Sequence, residues 1–432
     1  MLIDGQTPVI GTDPGELLRM NMEPYYRDDL VTLYHGDNRK VTPNLSGITA
    51  CVTDPPYGLG FMGKGWDHGV PGVEFWQLIA GACVPGAPLL AFGGTRTYHR
   101  LVCAIEDAGW EIRDCLQYLY GSGFPKSMNI SKAIDKAAGA EREVVGHKGG
   151  RYDSPGTDIR GGKLIGGKAA AMTNLGDITA PATDAAQTWD GWGTALKPAV
   201  EMICLAMNPL DGTFANNAIE HGVAGINVDG GRIQTGDDTT TRHSSSSSSS
   251  YMTGEIGETQ PKQDPYITGS TSSRWPANII HDGSEEGVRG FPLINGESAA
   301  RYFYCAKASQ AERNKGCENL TMRSASECCE DREPDSVGIQ SPRAGSGRTS
   351  GSRNNHPTVK PLALMRYLLT LVTMPERNLI LDPFAGSGST GVACKELGLP
   401  CVLIDDEIEH CEIIAARVAA AHFKPTQDVL AL

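Results

Sequence analysis

No run in the 432-residue chain approaches the roughly 20 consecutive apolar residues that a membrane-spanning helix needs. The opening MLIDGQTPVI has no basic segment followed by an apolar stretch, so no secretory signal is expected there. Twelve cysteines are scattered rather than framed, so no disulfide scaffold is expected and a reducing cytoplasm is the expected setting. Cys305, Cys317, Cys328 and Cys329 lie near one another but form no C-x-x-C pair, and no metal site is expected of them. Positive charge is also scarce: 38 Lys and Arg stand against 51 Asp and Glu, a net charge of -13 that argues against nucleic acid as a partner unless positive charge is concentrated locally. Acid in turn is missing from Ser336 to Pro375, where Arg343, Arg348, Arg353, Lys360 and Arg366 all fall. That stretch reads either as a solvated loop or as a local basic surface.

What is present separates into textures. From about Leu30 to Tyr120, LVTLYHGD, TACVTDPPYG, PLLAFGG and DCLQYLY read as strands between glycine and proline turns, with a helical pattern over VEFWQLIAGACV. From about Gly121 to Gly351 the chain is rich in Gly, Ser, Thr and Pro, holds the tract HSSSSSSSY (His243 to Tyr251), and keeps no clean period. From His356 onward, PLALMRYLLTLV predicts a helix, NLILD a strand, a glycine turn and helix follow, then CVLID predicts a strand and EHCEIIAARVAAAH a helix. The two regular regions each supply half of a parallel sheet, and neither alone covers both its faces. The spacing therefore predicts that they pack together with the middle extruded: residues 1–29 an extension, 30–125 one half, 126–350 an insert with a disordered Ser-rich tract, and 351–432 the other half.

After NLILD comes DPFAGSGSTG, with Gly386, Gly388 and Gly391 at G-x-G-x-x-G spacing before a helix. Glycines there permit a tight turn and close approach of a ligand to backbone N–H groups. A purely structural turn, a phosphate loop and a dinucleotide site compete for this pattern. No Gly-Lys-Ser/Thr follows, which removes the phosphate loop. Asp405 ends the next strand, where an acid would hold a ribose diol. An ordinary dinucleotide domain needs further strands after that acid, and only one helix is predicted there, so the rest of the sheet is expected from the N-terminal half in a circular permutation.

Asp54-Pro55-Pro56-Tyr57 closes the strand ACVT at the carboxyl edge of the sheet, where ligands of open α/β folds sit. Two prolines fix φ and hold the Asp54 carboxylate and the Pro55 carbonyl as rigid acceptors. An acceptor pair followed by an aromatic plate suits a planar amine: accepting both of its hydrogens draws the nitrogen toward tetrahedral geometry and frees its lone pair for attack on an electrophilic methyl. Tyr57 would stack on the ring, which requires a base flipped out of its helix. The competing view is a proline-rich turn with Asp54 as a helix cap.

The pairing of DPPYG with DPFAGSGSTG, in that order, resembles the DNA amino-methyltransferases of the adenine-N6/cytosine-N4 family in their permuted β arrangement, of phage or prophage type, over about Leu30 to Ala421. The resemblance implies an S-adenosylmethionine-dependent, Rossmann-like, mostly parallel sheet with a loop-rich target-recognition insert. It also implies a site-specific DNA methyltransferase acting on adenine in double-stranded DNA, in a bacterial cytoplasm and away from membranes. Asp54, Pro55, Pro56 and Tyr57 take the catalytic positions. Asp37 in LYHGD would meet the cofactor adenine. Asp382, Phe384, Gly386 and Gly388 would lie beneath its methionine part, and Asp405 would hold its ribose. Thr358 and Lys360 in NHPTVKP would help close the methionine pocket. Tyr118 and Tyr120 stand where the family often offers a second aromatic, or are simply core. Asp at the head of the tetrapeptide leans toward adenine, since Ser is the common head in cytosine-N4 enzymes; cytosine-N4 transfer and a catalytically silent DNA-binding module are the alternatives. A homodimer and a restriction-endonuclease partner are left open, as is the recognition sequence.

Overall fold

The computed structural model describes residues 23–59, 69–121, 123, 127–147, 177–234, 241–243, 266–268, 273–284, 293–294, 297–298, 303–304, 308–323, 352–356 and 358–424. Most of the Ser-rich tract, most of the N-terminal extension, Arg343, Arg348, Cys305, Cys328, Cys329 and Pro357 lie outside them. Among the described residues no helix is long and apolar enough to cross a membrane.

A ten-stranded sheet organises the larger of two units, which comprises residues 1–121, 200–321 and 353–432. Its strands, in chain order, are β1 (Tyr26–Arg27), β2 (Val31–His35), β3 (Ala50–Thr53), β4 (Pro88–Gly93), β5 (Glu111–Leu119), β6 (Val200–Met207), β7 (Ile279–His281), β8 (Phe303–Tyr304), β9 (Ile380–Asp382) and β10 (Cys401–Asp405). Across the sheet they run β1-β2-β10-β9-β3-β4-β6-β5-β7-β8. Only the edge strand β1 and the internal β6 run against the rest. The C-terminal strands β9 and β10 thus lie between β2 and β3, so the two regular sequence regions form one sheet and their strand ends share one edge.

Burial on both faces explains why β3, β4, β9 and β10 read as unbroken apolar runs. Leu90 and Phe92 face one core and Leu89 and Ala91 the other, and β9 and β10 alternate likewise, with Ile380 and Leu403 opposite Leu381 and Val402. The first face is covered by helices α4 (Leu362–Leu371), α5 (Ser389–Leu397) and α6 (Ile408–Ala419). On α6, Cys411, Ile414 and Val418 recur at helical spacing. The second face is covered by α2 (Val73–Ala82), through Trp76 and Ile79, and by α3 (Tyr98–Asp107), through Leu101 and Ile105. A short α1 (Asn38–Val41) follows β2.

The central β6 comes from the stretch whose sequence keeps no clean period. Its residues VEMICLAM pair along their whole length with β5 and along most of it with β4. One β5 position, Arg113, is skipped at a bulge. The basic stretch also differs from a solvated loop. Lys360 is buried, and Arg366 donates through Nη1 to buried Glu396 at 2.8 Å.

The smaller unit comprises residues 122–199 and 322–352. Helix Ile130–Ala137 carries Asp135, which is fully buried and accepts from the Ala182 and Thr183 N–H groups, the Thr183 hydroxyl and Arg142. A buried carboxylate with four donors is a satisfied one. Trp189 and Trp192 stack edge to face at 5.3 Å on the surface of this unit.

Candidate active site

Four adjacent strand ends bring the predicted residues to one edge: Asp37 after β2, Asp405 ending β10, Asp382 ending β9 and Asp54 after β3. Asp382 is a brace. It accepts from the hydroxyl of Thr53 at 2.7 Å, the hydroxyl of Thr390 at 2.5 Å and the N–H of Phe384 at 3.2 Å, and so joins β3, α5 and the glycine loop. Burial raises its pKa to about 6 against the pull of those hydrogen bonds, with the nearby Asp54 adding to the rise.

The loop that follows is shaped around close approach. Gly386 has φ +54°, and a Cβ there would lie 2.9 Å from His356 Nε2. At Gly388, φ is +74° and a Cβ would press on Ile414 at 3.0 Å. Asp405 holds the turn from the next strand: Oδ2 accepts the Gly386 N–H at 2.7 Å, while Oδ1 accepts the Glu407 N–H at 3.1 Å and lies 3.0 Å from His410 Nδ1. A carboxylate has about four acceptor positions, so Asp405 can brace the loop and still accept from a ligand hydroxyl. His356 Nδ1 lies 2.6 Å from the Thr358 carbonyl, which assigns the proton to that nitrogen. Burial and the neighbouring His410 push His356 well below the ordinary imidazole pKa, so it is neutral. Neither histidine was singled out from the sequence, and the pair stacks edge to face at 4.7 Å against the loop.

Asp37 caps α1 by accepting the Arg39 N–H and is paired with the Arg39 guanidinium, whose hydrogen bonds hold the carboxyl below its usual pKa. Asn38 next to it donates to the Pro383 carbonyl at 3.0 Å and ties this turn to the glycine loop. Phe384 and Phe75 lie 6.1 Å apart between their centroids, and Arg39 sits over the Phe75 ring. Thr358 is exposed, and its carbonyl meets His356.

The tetrapeptide is built from more distant parts. Asp54 accepts the Tyr57 hydroxyl at Oδ1 (2.9 Å) and the Lys360 ammonium at Oδ2 (2.6 Å). The same ammonium is 3.2 Å from the Tyr57 hydroxyl and 3.5 Å from Glu201 on β6. Burial alone would lower the Lys360 pKa; the Asp54 and Glu201 carboxylates outweigh it and raise it, so Lys360 is an ammonium at neutral pH. Burial, helped by Asp54 and Glu201, holds the Tyr57 phenol well above its ordinary pKa. Thr97 donates its hydroxyl to the Tyr57 carbonyl at 2.6 Å, and Gly94 admits the Tyr57 ring, since a Cβ there would lie 3.0 Å from Tyr57 Cδ2. Pro55 is buried and Pro56 half-buried. Tyr118 and Tyr120 both pack in the core, 5.8 Å apart, and Tyr120 feels Glu201 and Lys360; burial, then Glu201, pushes its phenol up to about 12.

The edge therefore holds two separate devices, a backbone cradle braced by acids and an anionic acceptor clamped by an ammonium. Residues 260–416 match the model of a family described as DNA methylase. Over 65 residues the chain is 45% identical to the Type II methyltransferase M2.DpnII of Streptococcus pneumoniae, covering 15% of this chain and 24% of that one. Over 49 residues it is 53% identical to the Type II methyltransferase M.HindIII of Haemophilus influenzae, covering 11% and 16%. The chain thus spans about a quarter or less of the length of these curated relatives. Among solved structures, the PvuII DNA methyltransferase, titled cytosine-N4-specific, aligns over 95% of this chain and 93% of its own at 11% identity and TM-score 0.43. The complex of M1.HpyAVI with SAM aligns over 90% and 100% at 14% identity and TM-score 0.36.

Proposed function

We propose that this chain is a site-specific DNA methyltransferase that moves the methyl group of S-adenosylmethionine onto the exocyclic amino nitrogen of adenine in double-stranded DNA. The observation that carries the reading is the placement of the Asp54 carboxylate at the strand end beside the glycine cradle, with Tyr57 and Lys360 holding both of its oxygens in place. The cradle fits the cofactor: a positive-φ Gly386 leaves no room for a side chain, its N–H is oriented by Asp405, and Asp405 keeps acceptor capacity for a ribose diol. Asp37 suits the adenine end, Asp382 fixes the loop, and Phe384 with Thr358 borders it. When bound, the cofactor supplies a methyl group activated by a sulfonium.

The rest of the chemistry belongs to the chain. The target base enters from the duplex and stacks on Tyr57. Asp54 and the Pro55 carbonyl accept the amino hydrogens, which localises the nitrogen lone pair for in-line attack. On taking the methyl group that the bound cofactor would supply, the amino nitrogen would release its extra proton to Asp54 and then to water. No covalent enzyme intermediate is needed. The strand order, with β9 and β10 between β2 and β3, supports a permuted arrangement in which the catalytic half precedes the cofactor half. Asp at the tetrapeptide head favours adenine over cytosine. A bacterial cytoplasmic setting belongs to the same reading.

Single-molecule sequencing of DNA from a methylation-free bacterium expressing the protein, with Asp54→Ala in parallel, tests this. Methylated adenine in a fixed context that vanishes in the variant is the expected result. Methylated cytosine would keep the mechanism and reverse the base. No Asp54-dependent mark from folded protein would overturn the assignment.

A further inference from the structure

Two carboxylates share one ammonium at the tetrapeptide. Lys360 Nζ lies 2.6 Å from Asp54 Oδ2 and 3.5 Å from Glu201, with side chains only 10%, 22% and 24% exposed. The nearest phenols, Tyr57 and Tyr120, are held neutral by burial and contribute no charge. The aromatic rings of Phe92 and Tyr57 surround the ammonium at 4.8 and 5.4 Å, so water screens the group poorly. If Asp54 served only as an acceptor clamped by Lys360, the pair would be neutral and Glu201 superfluous. An additional, partly buried carboxylate costs desolvation, and on β6 it faces the strand ends rather than solvent alone.

We propose that Glu201, acting through Lys360, sets the acceptor cluster at one net negative charge and thereby makes the site favour a cationic methyl donor over its neutral thioether product. The inference rests on the methyltransferase reading above. Asp382 and Asp405 add charge on the glycine-loop side, but hydroxyl and N–H donors hold them in place and they are common to every state. Glu201 is a positioning residue, since it reaches Asp54 through the ammonium. After transfer the donor's positive charge is gone, so the cluster no longer holds the spent cofactor and its release is favoured.

Calorimetric titration of the full chain with S-adenosylmethionine and with S-adenosylhomocysteine reads the ratio of the two affinities, in which contacts common to both ligands cancel. Glu201→Gln, nearly isosteric, removes one negative charge and should lower the preference for the sulfonium about tenfold; Lys360→Met removes the positive charge and should raise it by a similar factor. Opposite signs in the two variants distinguish charge from packing, which would move both in one direction. A ratio unchanged within about twofold in both variants, with circular dichroism showing them folded, overturns the inference while leaving the methyltransferase reading intact. Binding of neither ligand by the wild-type protein would instead overturn the cofactor reading itself.

Discussion

The glycine loop and the tetrapeptide loop leave neighbouring strands of one sheet, yet they are held in opposite ways. Around the glycine loop, most of the acids' partners lie close by in the chain: Asp382 reaches Phe384 and Thr390, with Thr53 of β3 the distant exception, and Asp405 reaches Gly386, Glu407 and His410. Around the tetrapeptide, the Tyr57 to Asp54 bond is local, whereas Lys360 arrives from 306 positions away and Glu201 from the middle of the chain. A locally braced loop is a shape, set by backbone and kept by hydrogen bonds. A loop clamped from afar is a charge arrangement, and it exists only once the sheet has closed. The first can recognise; the second can be tuned.

The sharpest way to separate the two is to remove the acid from each. Asp54→Ala should reduce methyl transfer by at least about 10³-fold, the scale of losing a group aimed at developing charge, while S-adenosylhomocysteine affinity stays within a few-fold of wild type. Asp405→Ala should do the reverse in kind: affinity falls by about 10- to 100-fold as the Gly386 N–H loses its brace, the equivalent of about 1.4–2.8 kcal/mol. Calorimetry and a methylation assay on the same preparations check both. If Asp54→Ala abolished cofactor binding too, the two loops would be one device.

The same contrast explains what the sequence could and could not reveal. Strands β2, β3, β4, β9 and β10 announce themselves as apolar runs, because a parallel sheet buried on both faces needs them, and both loops carry their identity in contiguous residues. Gly386 and Gly388 were readable because positive φ and close approach restrict those positions to glycine. Lys360 was read from the resemblance as a cofactor residue; its bond to Asp54 is a tertiary event with no local signature. Glu201 escaped notice altogether, since VEMICLAM lies in a stretch rich in Gly, Ser and Pro and contributes its strand only by pairing with β4 and β5. For the acid-free stretch a solvated loop and a local basic surface both stood open, because charge is normally outside; Lys360 and Arg366 are instead paired inward with Asp54 and Glu396.

Proton linkage sharpens the comparison from the glycine-loop side. Asp382 is raised to about 6 from an ordinary 3.8. A carboxyl with a raised folded pKa binds its proton more tightly in the native state. Its contribution to stability is therefore greatest below about pH 4, declines as pH rises to about 6, and is constant above. The span corresponds to about 3 kcal/mol. Asp382→Asn cannot titrate, so the stability difference between wild type and this variant, from urea unfolding at a series of pH values, should fall across that window. A difference independent of pH would mean that the three donors on Asp382 outweigh burial and keep it ionised throughout.

The smallest expected effect falls on the tetrapeptide side. Thr97 donates its hydroxyl to the Tyr57 carbonyl at 2.6 Å and fixes the end of the loop without touching Asp54 or Lys360. Thr97→Val keeps the side-chain volume and removes that donor, at a cost of about 1 kcal/mol in stability. If the charge clamp alone positions Asp54, transfer should slow by less than about threefold, because the Tyr57 hydroxyl and Lys360 still hold both carboxylate oxygens. A loss of transfer far beyond the loss of stability would show instead that the tetrapeptide, like its neighbour, depends on hydrogen-bonded bracing of its backbone. The distinction between a shaped loop and a clamped one would then fail at the tetrapeptide.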